Sequence, residues 1–293
     1  MRSAPGGRGR EQAMKLRIFI VLVAVVLAWV AGRSIKSGGE HIVASVQEQA
    51  QGGGHDDATT SHGSSERRIN ESYELTEGAH VNVSGINGPV SIEAVDGDTA
   101  EVQVTSTAGS MSDLNASQIT VEHTESSLTV RGKGNNHGGF WKWLTGKGET
   151  RHNVVLKLPR HVALEARGTN GKLTIGEMEG AVKVSGVNGR VEIGGAGGLA
   201  EVNGVNGGVT ITIMELPKEG AKVNGINGGV ELRLGSDVNA DLNINGVNGS
   251  ITLEAPNVEV QEQKRSKLRA RVGTGGASIK ANGINGGVRI VGV

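Results

Sequence analysis

The tetrapeptide Gly-Ile-Asn-Gly, or a close variant, occurs seven times in this chain, with its Asn at Asn87, Asn170, Asn188, Asn206, Asn227, Asn248 and Asn285. Six copies carry Ile or Val before the Asn, and Thr169 is the exception. All seven continue as Asn-Gly-x-apolar-x-apolar: Val90 and Ile92, Leu173 and Ile175, Val191 and Ile193, Val209 and Ile211, Val230 and Leu232, Ile251 and Leu253, Val288 and Ile290. Alternation of this kind has the period of a β-strand with one buried face. A short repeat cannot bury such a face alone, so copies must stack on one another.

Successive Asn residues are separated by 83, 18, 18, 21, 21 and 37 positions. The two long intervals are close to four and two times the short ones, which leads us to expect coils without the motif inside them. A period near 20 residues is too short for a propeller blade, and the Leu-x-x-Leu-x-Leu pattern of leucine-rich repeats is absent. The expected fold is therefore all-β, a single-chain β-solenoid (β-helix) with coils of about 18–21 residues, about ten of them at about 4.8 Å each. Asn-Gly between apolar alternations is also a hairpin signal, and the competing fold is an antiparallel meander. Near-identical recurrence favours stacking, because equivalent Asn side chains can then form an amide ladder. The seven Asn are accordingly assigned a structural role, with Asn285 at the end of the ladder.

Composition narrows the function classes. Gly accounts for 48 residues and Pro for only 5, so regularly spaced turns fit and collagen-like or proline-rich readings do not. Lys plus Arg equals Asp plus Glu at 30 each, which gives no overall field to attract nucleic acid. No Cys is present, which removes disulfides, thiolate metal sites and Cys nucleophiles.

Arg2, Arg8, Arg10, Lys15 and Arg17 precede an uncharged run over 18–32, and Arg33 and Lys36 follow it. This is the pattern of an export signal, either a cleaved signal peptide or a retained anchor helix. Residues 34–68 are rich in Gly, Ser, Gln, Glu and His without apolar periodicity and read as a flexible linker. The expected organisation is a signal or anchor at 1–33, a linker at 34–68 and a repeat domain at 69–293, exported to the periplasm or the outer face of the cytoplasmic membrane. His55, Asp56, Asp57 and His62 lie in the linker with no scaffold to fix a metal, and no metal or cofactor is expected.

The runs Ser84-Gly85-Ile86-Asn87-Gly88-Pro89-Val90, Val155-Leu156-Lys157-Leu158-Pro159 and Gly273-Thr274-Gly275-Gly276, leading to Asn282-Gly283-Ile284-Asn285-Gly286, resemble the bacterial putative-adhesin family of β-strand repeats. Its relatives are called head-GIN and toastrack domains. The resemblance covers 69–293 and implies a solenoid in the cell envelope with a role in adhesion or envelope-stress signalling. It brings no catalytic residues, and its motif speaks for fold more than for function.

The outward positions between the apolar pairs are Ser91, Thr174, Glu192, Thr210, Glu231, Thr252 and Arg289. They lack the paired carboxylates that a polysaccharide-cleaving β-helix needs, so the chain is read as a non-enzyme. The primary reading is an adhesin-like or scaffold module of the envelope. The alternatives are a membrane-anchored ectodomain in envelope-stress signalling and a polysaccharide-acting enzyme. The basic stretch Lys264, Arg265, Lys267, Arg269 and Arg271 alternates with apolar residues and reads as a strand edge. Phe140, Trp141 and Trp143 interrupt the repeat and are read as a contact loop. The partners considered are an envelope glycan, a membrane surface or another protein.

Overall fold

The computed structural model describes residues 64–133 and 150–293. The expected signal or anchor at 1–33, the linker up to residue 63 and the aromatic segment with Phe140, Trp141 and Trp143 lie outside the described residues. Among the described residues, no helix is long and apolar enough to cross a membrane.

Each motif copy joins two strands, one ending near its first Gly and one beginning after its Asn-Gly. In chain order the strands are β1 (Ser65–Glu74), β2 (His80–Ser84), β3 (Val90–Val95) and β4 (Thr99–Ala108). A short helix α1 (Met111–Ala116) follows, then β5 (Gln118–Thr124), β6 (Ser127–Lys133), β7 (Arg151–Pro159), β8 (Ala163–Arg167) and β9 (Leu173–Met178). Next come β10 (Val182–Val187), β11 (Val191–Ala196), β12 (Ala200–Val205), β13 (Val209–Ile213), β14 (Ala221–Ile226) and β15 (Val230–Leu234). The last six are β16 (Ala240–Val247), β17 (Ile251–Glu254), β18 (Val258–Lys264), β19 (Lys267–Val272), β20 (Ala277–Ile284) and β21 (Val288–Gly292).

The strands form two large mixed sheets. The first has ten strands in the order β1-β4-β7-β3-β9-β11-β13-β15-β21-β17, and the second has eleven in the order β18-β19-β16-β20-β14-β12-β10-β8-β2-β6-β5. The two strands flanking any motif copy thus lie in different sheets, which rules out the hairpin meander. Repeats pair in parallel with equivalent residues opposite: Val184 lies beside Ala166 and Val202, and Val191 beside Leu173 and Val209. Each repeat passes once through each sheet and makes one rung.

The order of the rungs departs from the sequence reading. Extra coils do not fill the interval between Asn87 and Asn170, because β2 and β3 pair directly with β8 and β9. The intervening residues run outward instead, adding the rung β6–β7 on the far side and the antiparallel strands β4 and β5 beyond it, where β1, from before the first motif copy, pairs with β4. Likewise the interval between Asn248 and Asn285 forms the antiparallel pair β18–β19, and the chain then turns back to insert β20–β21 between β14–β15 and β16–β17. The result is eight two-strand rungs among the described residues, where the spacing suggested about ten. Antiparallel strands at the ends have a physical reason: an end rung exposes a row of unpaired backbone groups and half of its apolar face.

Inward residues of both sheets form one buried core, with Val90, Leu173, Val191, Val209, Val230 and Val288 as one column and Ile92, Ile175, Ile193, Ile211, Leu232 and Ile290 as the next. At the β1 end, Ser110 caps α1 by accepting from the Asp113 N–H, and the helix buries Leu114. Tyr73 of β1 stacks on His123 of β5, ring centroids 4.6 Å apart, and so links the edge strands of the two sheets.

Candidate functional site

The structure gives each position of the repeated motif a separate task. Its first Gly is left-handed, as at Gly186 and Gly204 with φ of 62°, and this turns the chain out of the second sheet. The next residue points inward: Ile86, Val187, Val205, Ile226, Val247 and Ile284 are all buried. Thr169 occupies the same column, and its hydroxyl has no hydrogen-bond partner among the described residues. The second Gly lies against the neighbouring rung so closely that a Cβ at Gly189 would overlap the carbonyl oxygen of Gly171.

Between them, the seven Asn side chains join in one unbroken line. Asn87 Nδ2 donates to the Thr150 carbonyl at 2.9 Å, and Asn170 donates to Asn87 at 2.9 Å. Asn188 donates to Asn170 at 2.9 Å, Asn206 to Asn188 at 3.0 Å and Asn227 to Asn206 at 2.9 Å. Asn285 then donates to Asn227 at 2.9 Å, and Asn248 to Asn285 at 3.1 Å. Asn285 is therefore interior and Asn248 terminal, the reverse of the sequence expectation, because the last rung inserts before the penultimate one. A shorter second column was missed: Asn224 donates to Asn203 at 3.0 Å and Asn282 to Asn224 at 3.1 Å. Its signal was present as an Asn three residues before the ladder Asn in four copies.

On the outer face of the first sheet, the outward residues stand in the order Ser91, Thr174, Glu192, Thr210, Glu231, Arg289, Thr252. Beside this column a groove of about 450 Å³ has Gly208, Gly229 and Gly287 as its floor. Arg190, Thr210, Glu231, Ser250, Thr252 and Arg289 supply its polar walls. The fold does not demand these glycines, since a Cβ at Gly229 would meet nothing nearer than 3.7 Å. Arg289 is held by Glu254, and Arg233 binds Glu231 at 2.6 Å, whereas Arg190 has no ion pair among the described residues. The groove therefore offers hydroxyls, a carboxylate and a guanidinium over a floor without side chains, which suits a polyhydroxylated ligand.

The basic stretch is not a sheet edge. Arg269 and Arg271 lie on β19, which β18 covers, and only Lys264 belongs to the edge strand. Glu262 binds Lys264 at 2.8 Å and Lys267 at 2.7 Å, and these two hydrogen-bonded ammonium groups hold its pKa down at about 2. Arg271 faces Asp241 and Glu259 at 3.8 and 3.7 Å. The cluster is largely neutralised within itself.

One buried polar group belongs to none of these features. His152 is 1% exposed, with Nδ1 2.8 Å from the Ser106 hydroxyl and Nε2 3.2 Å from that of Ser117. Burial lowers its pKa. It stands at the end of the ladder, where its backbone N–H donates to the Asn87 carbonyl at 2.8 Å.

No family model matches the chain, and no curated protein does. Among solved structures, the chain is similar to a putative cell adhesion protein from Clostridium sporogenes, at 12% identity over 77% of this chain and 100% of that one, with a TM-score of 0.36. A putative adhesin from Bacteroides fragilis shows 10% identity over 76% of this chain and 97% of that one, with a TM-score of 0.27. A putative lipid binding protein from Parabacteroides distasonis shows 9% identity over 77% and 94%, with a TM-score of 0.23.

Proposed function

We propose that this chain is a non-enzymatic, exported protein of the cell envelope, an adhesin-like β-solenoid that binds an envelope glycan along the groove of its first sheet. The observation that carries this reading is the groove floor. Gly208, Gly229 and Gly287 occupy three adjacent rungs at a position where Lys172 and Arg190 stand in other copies, and nothing in the local backbone calls for glycine there. Leaving out side chains on three rungs opens a path lined by Thr210, Glu231, Thr252 and Arg190, which has no ion pair among the described residues. Sugar hydroxyls are recognised by such groups, which donate and accept in fixed geometry. The charged-apolar-charged pattern of 1–33 supports export.

Gly229→Leu fills the path while leaving the fold room for its Cβ. Binding to purified envelope polysaccharide, measured by calorimetry, should be lost in this variant while its melting temperature stays that of the wild type. A wild-type protein that binds no envelope glycan, or a Gly229→Leu protein that binds as well as wild type, overturns the reading.

The apolar run at 18–32 ends in Trp29-Val30-Ala31, a poor small-x-small cleavage site, and this favours a second reading in which the anchor is retained and the domain serves envelope-stress signalling. Mass measurement of the mature amino terminus separates the two.

A further inference from the structure

Eleven of this chain's Asn residues are followed directly by Gly: the seven of the ladder and Asn203, Asn224, Asn245 and Asn282. Asn-Gly is the dipeptide most open to deamidation, because the Gly nitrogen meets no side-chain hindrance on its way to the preceding carboxamide. A chain with eleven such bonds depends on its fold to keep them intact, and the fold does not treat them equally.

In the ladder, the carboxamide oxygen of Asn87, Asn170, Asn188, Asn206, Asn227 and Asn285 each accepts a hydrogen bond from the next Asn, and each Nδ2 donates. Rotating any of these carboxamides toward the backbone nitrogen breaks two hydrogen bonds. Asn248 donates to Asn285, but among the described residues nothing donates to its oxygen, so its rotation breaks one. Outside the ladder, Asn245 and Asn282 also lack a donor to their oxygens. Gly283, however, is a left-handed glycine with a parallel rung on each side, and its equivalents Gly85 and Gly168 have their N–H tied to the carbonyls of Arg167 and Ser185 on the next rung, while Asn245 is held by donating to Asn243 at 2.7 Å. A tied N–H is a poor nucleophile. The surroundings add a further difference, since Gly249 lines a cavity of about 530 Å³ with Ser250, Ile251, Gln263, Lys264 and Arg265. That space admits water, and Arg265 in its lining favours the oxyanion formed during attack.

We propose that Asn248 is the chain's site of spontaneous deamidation, a covalent modification that opens the ladder from its free end. The Gly249 nitrogen attacks Cγ of Asn248, its proton leaves with the side-chain nitrogen as ammonia, and a five-membered succinimide remains. Water then opens the ring at either carbonyl to give aspartate or isoaspartate. The new carboxylate has no proton to donate to the Asn285 oxygen, so the last ladder bond is lost, and an isoaspartate shifts the backbone register between β16 and β17. Interior Asn residues stay intact as long as the rungs hold.

The test is peptide mapping by mass spectrometry of the full chain incubated in mildly alkaline buffer, folded and in urea. In the folded protein Asn248 should deamidate about tenfold faster than any other Asn-Gly site, the factor that one ordinary hydrogen bond supplies. In urea all eleven sites should react at similar rates. In an Asn285→Ala protein the Asn227 oxygen loses its donor, and Asn227 should then react about as fast as Asn248 does in the wild type. Earlier reaction at Asn245, Asn282 or an interior ladder residue of the folded wild type overturns the proposal, and so does an Asn227 that stays intact in the Asn285→Ala protein.

Discussion

Replacing single ladder residues with Ala tests the line of carboxamides by rank as well as by size. Asn206→Ala removes two hydrogen bonds, its own to Asn188 and the one it receives from Asn227. At roughly 0.5–1.5 kcal/mol net for each, the loss is about 1–3 kcal/mol. The carboxamides are solvent-exposed along one side, so water replaces part of what is lost and the lower half of that range is expected. For a domain of this size the melting temperature should fall by roughly 2–4 °C per kcal/mol. Asn285→Ala should match Asn206→Ala, because Asn285 is bonded on both sides. Asn248→Ala should cost about half as much, with a single bond to lose. Thermal unfolding of the three proteins by circular dichroism decides the matter. Equal effects at all three positions, or an Asn206→Ala protein that melts with the wild type, would refute the reasoning.

Other perturbations follow from single contacts. Thr169→Val removes a buried hydroxyl without a partner and keeps the side-chain volume, so it should stabilise the domain by about 1 kcal/mol in urea titration. Gly189→Ala puts a methyl group into the carbonyl oxygen of Gly171 and should destabilise by about 1–3 kcal/mol on the same assay. Burial keeps His152 neutral in the folded state, whereas in the unfolded chain it takes up a proton near pH 6.5. Its contribution is therefore complete above that pH and fades as the pH falls toward the lowered folded value. The urea midpoint should drop between pH 7 and pH 5, by less in a His152→Gln protein, and an identical drop in both would show that another group is responsible.

How much of this was legible in the sequence depends on what each residue type encodes. Alternation after every Asn-Gly announced strands with one buried face, and near-constant spacing announced equivalent residues in contact, because both follow from local periodicity. The order of the rungs did not, since Asn285 carries the same motif whether its strands are added last or inserted. That choice is made by how β18 and β19 close the end of the second sheet, a matter of tertiary packing. The 83-residue interval misled for a similar reason: residues that run outward and back are indistinguishable by length from coils stacked in line. The groove was hidden because Gly208, Gly229 and Gly287 stand next to glycines that the fold does require, and only the free space around their Cα atoms tells them apart. His152 was missed because nothing in sequence brings Ser106 and Ser117 to its ring.

The most direct test of the account is disulfide trapping between rungs, which a chain without native Cys permits. Lys222 of β14 lies opposite Lys280 of β20, and Lys280 lies opposite Asn243 of β16. Neighbouring strands are about 4.8 Å apart, within reach of a disulfide, while strands two apart are about 9.6 Å from each other and beyond it. The account predicts that a Lys222→Cys/Lys280→Cys protein cross-links within the folded monomer under mild oxidation and that a Lys222→Cys/Asn243→Cys protein does not. Cross-linking of the second protein and not the first would mean that the rungs stack in sequence order, and would contradict it.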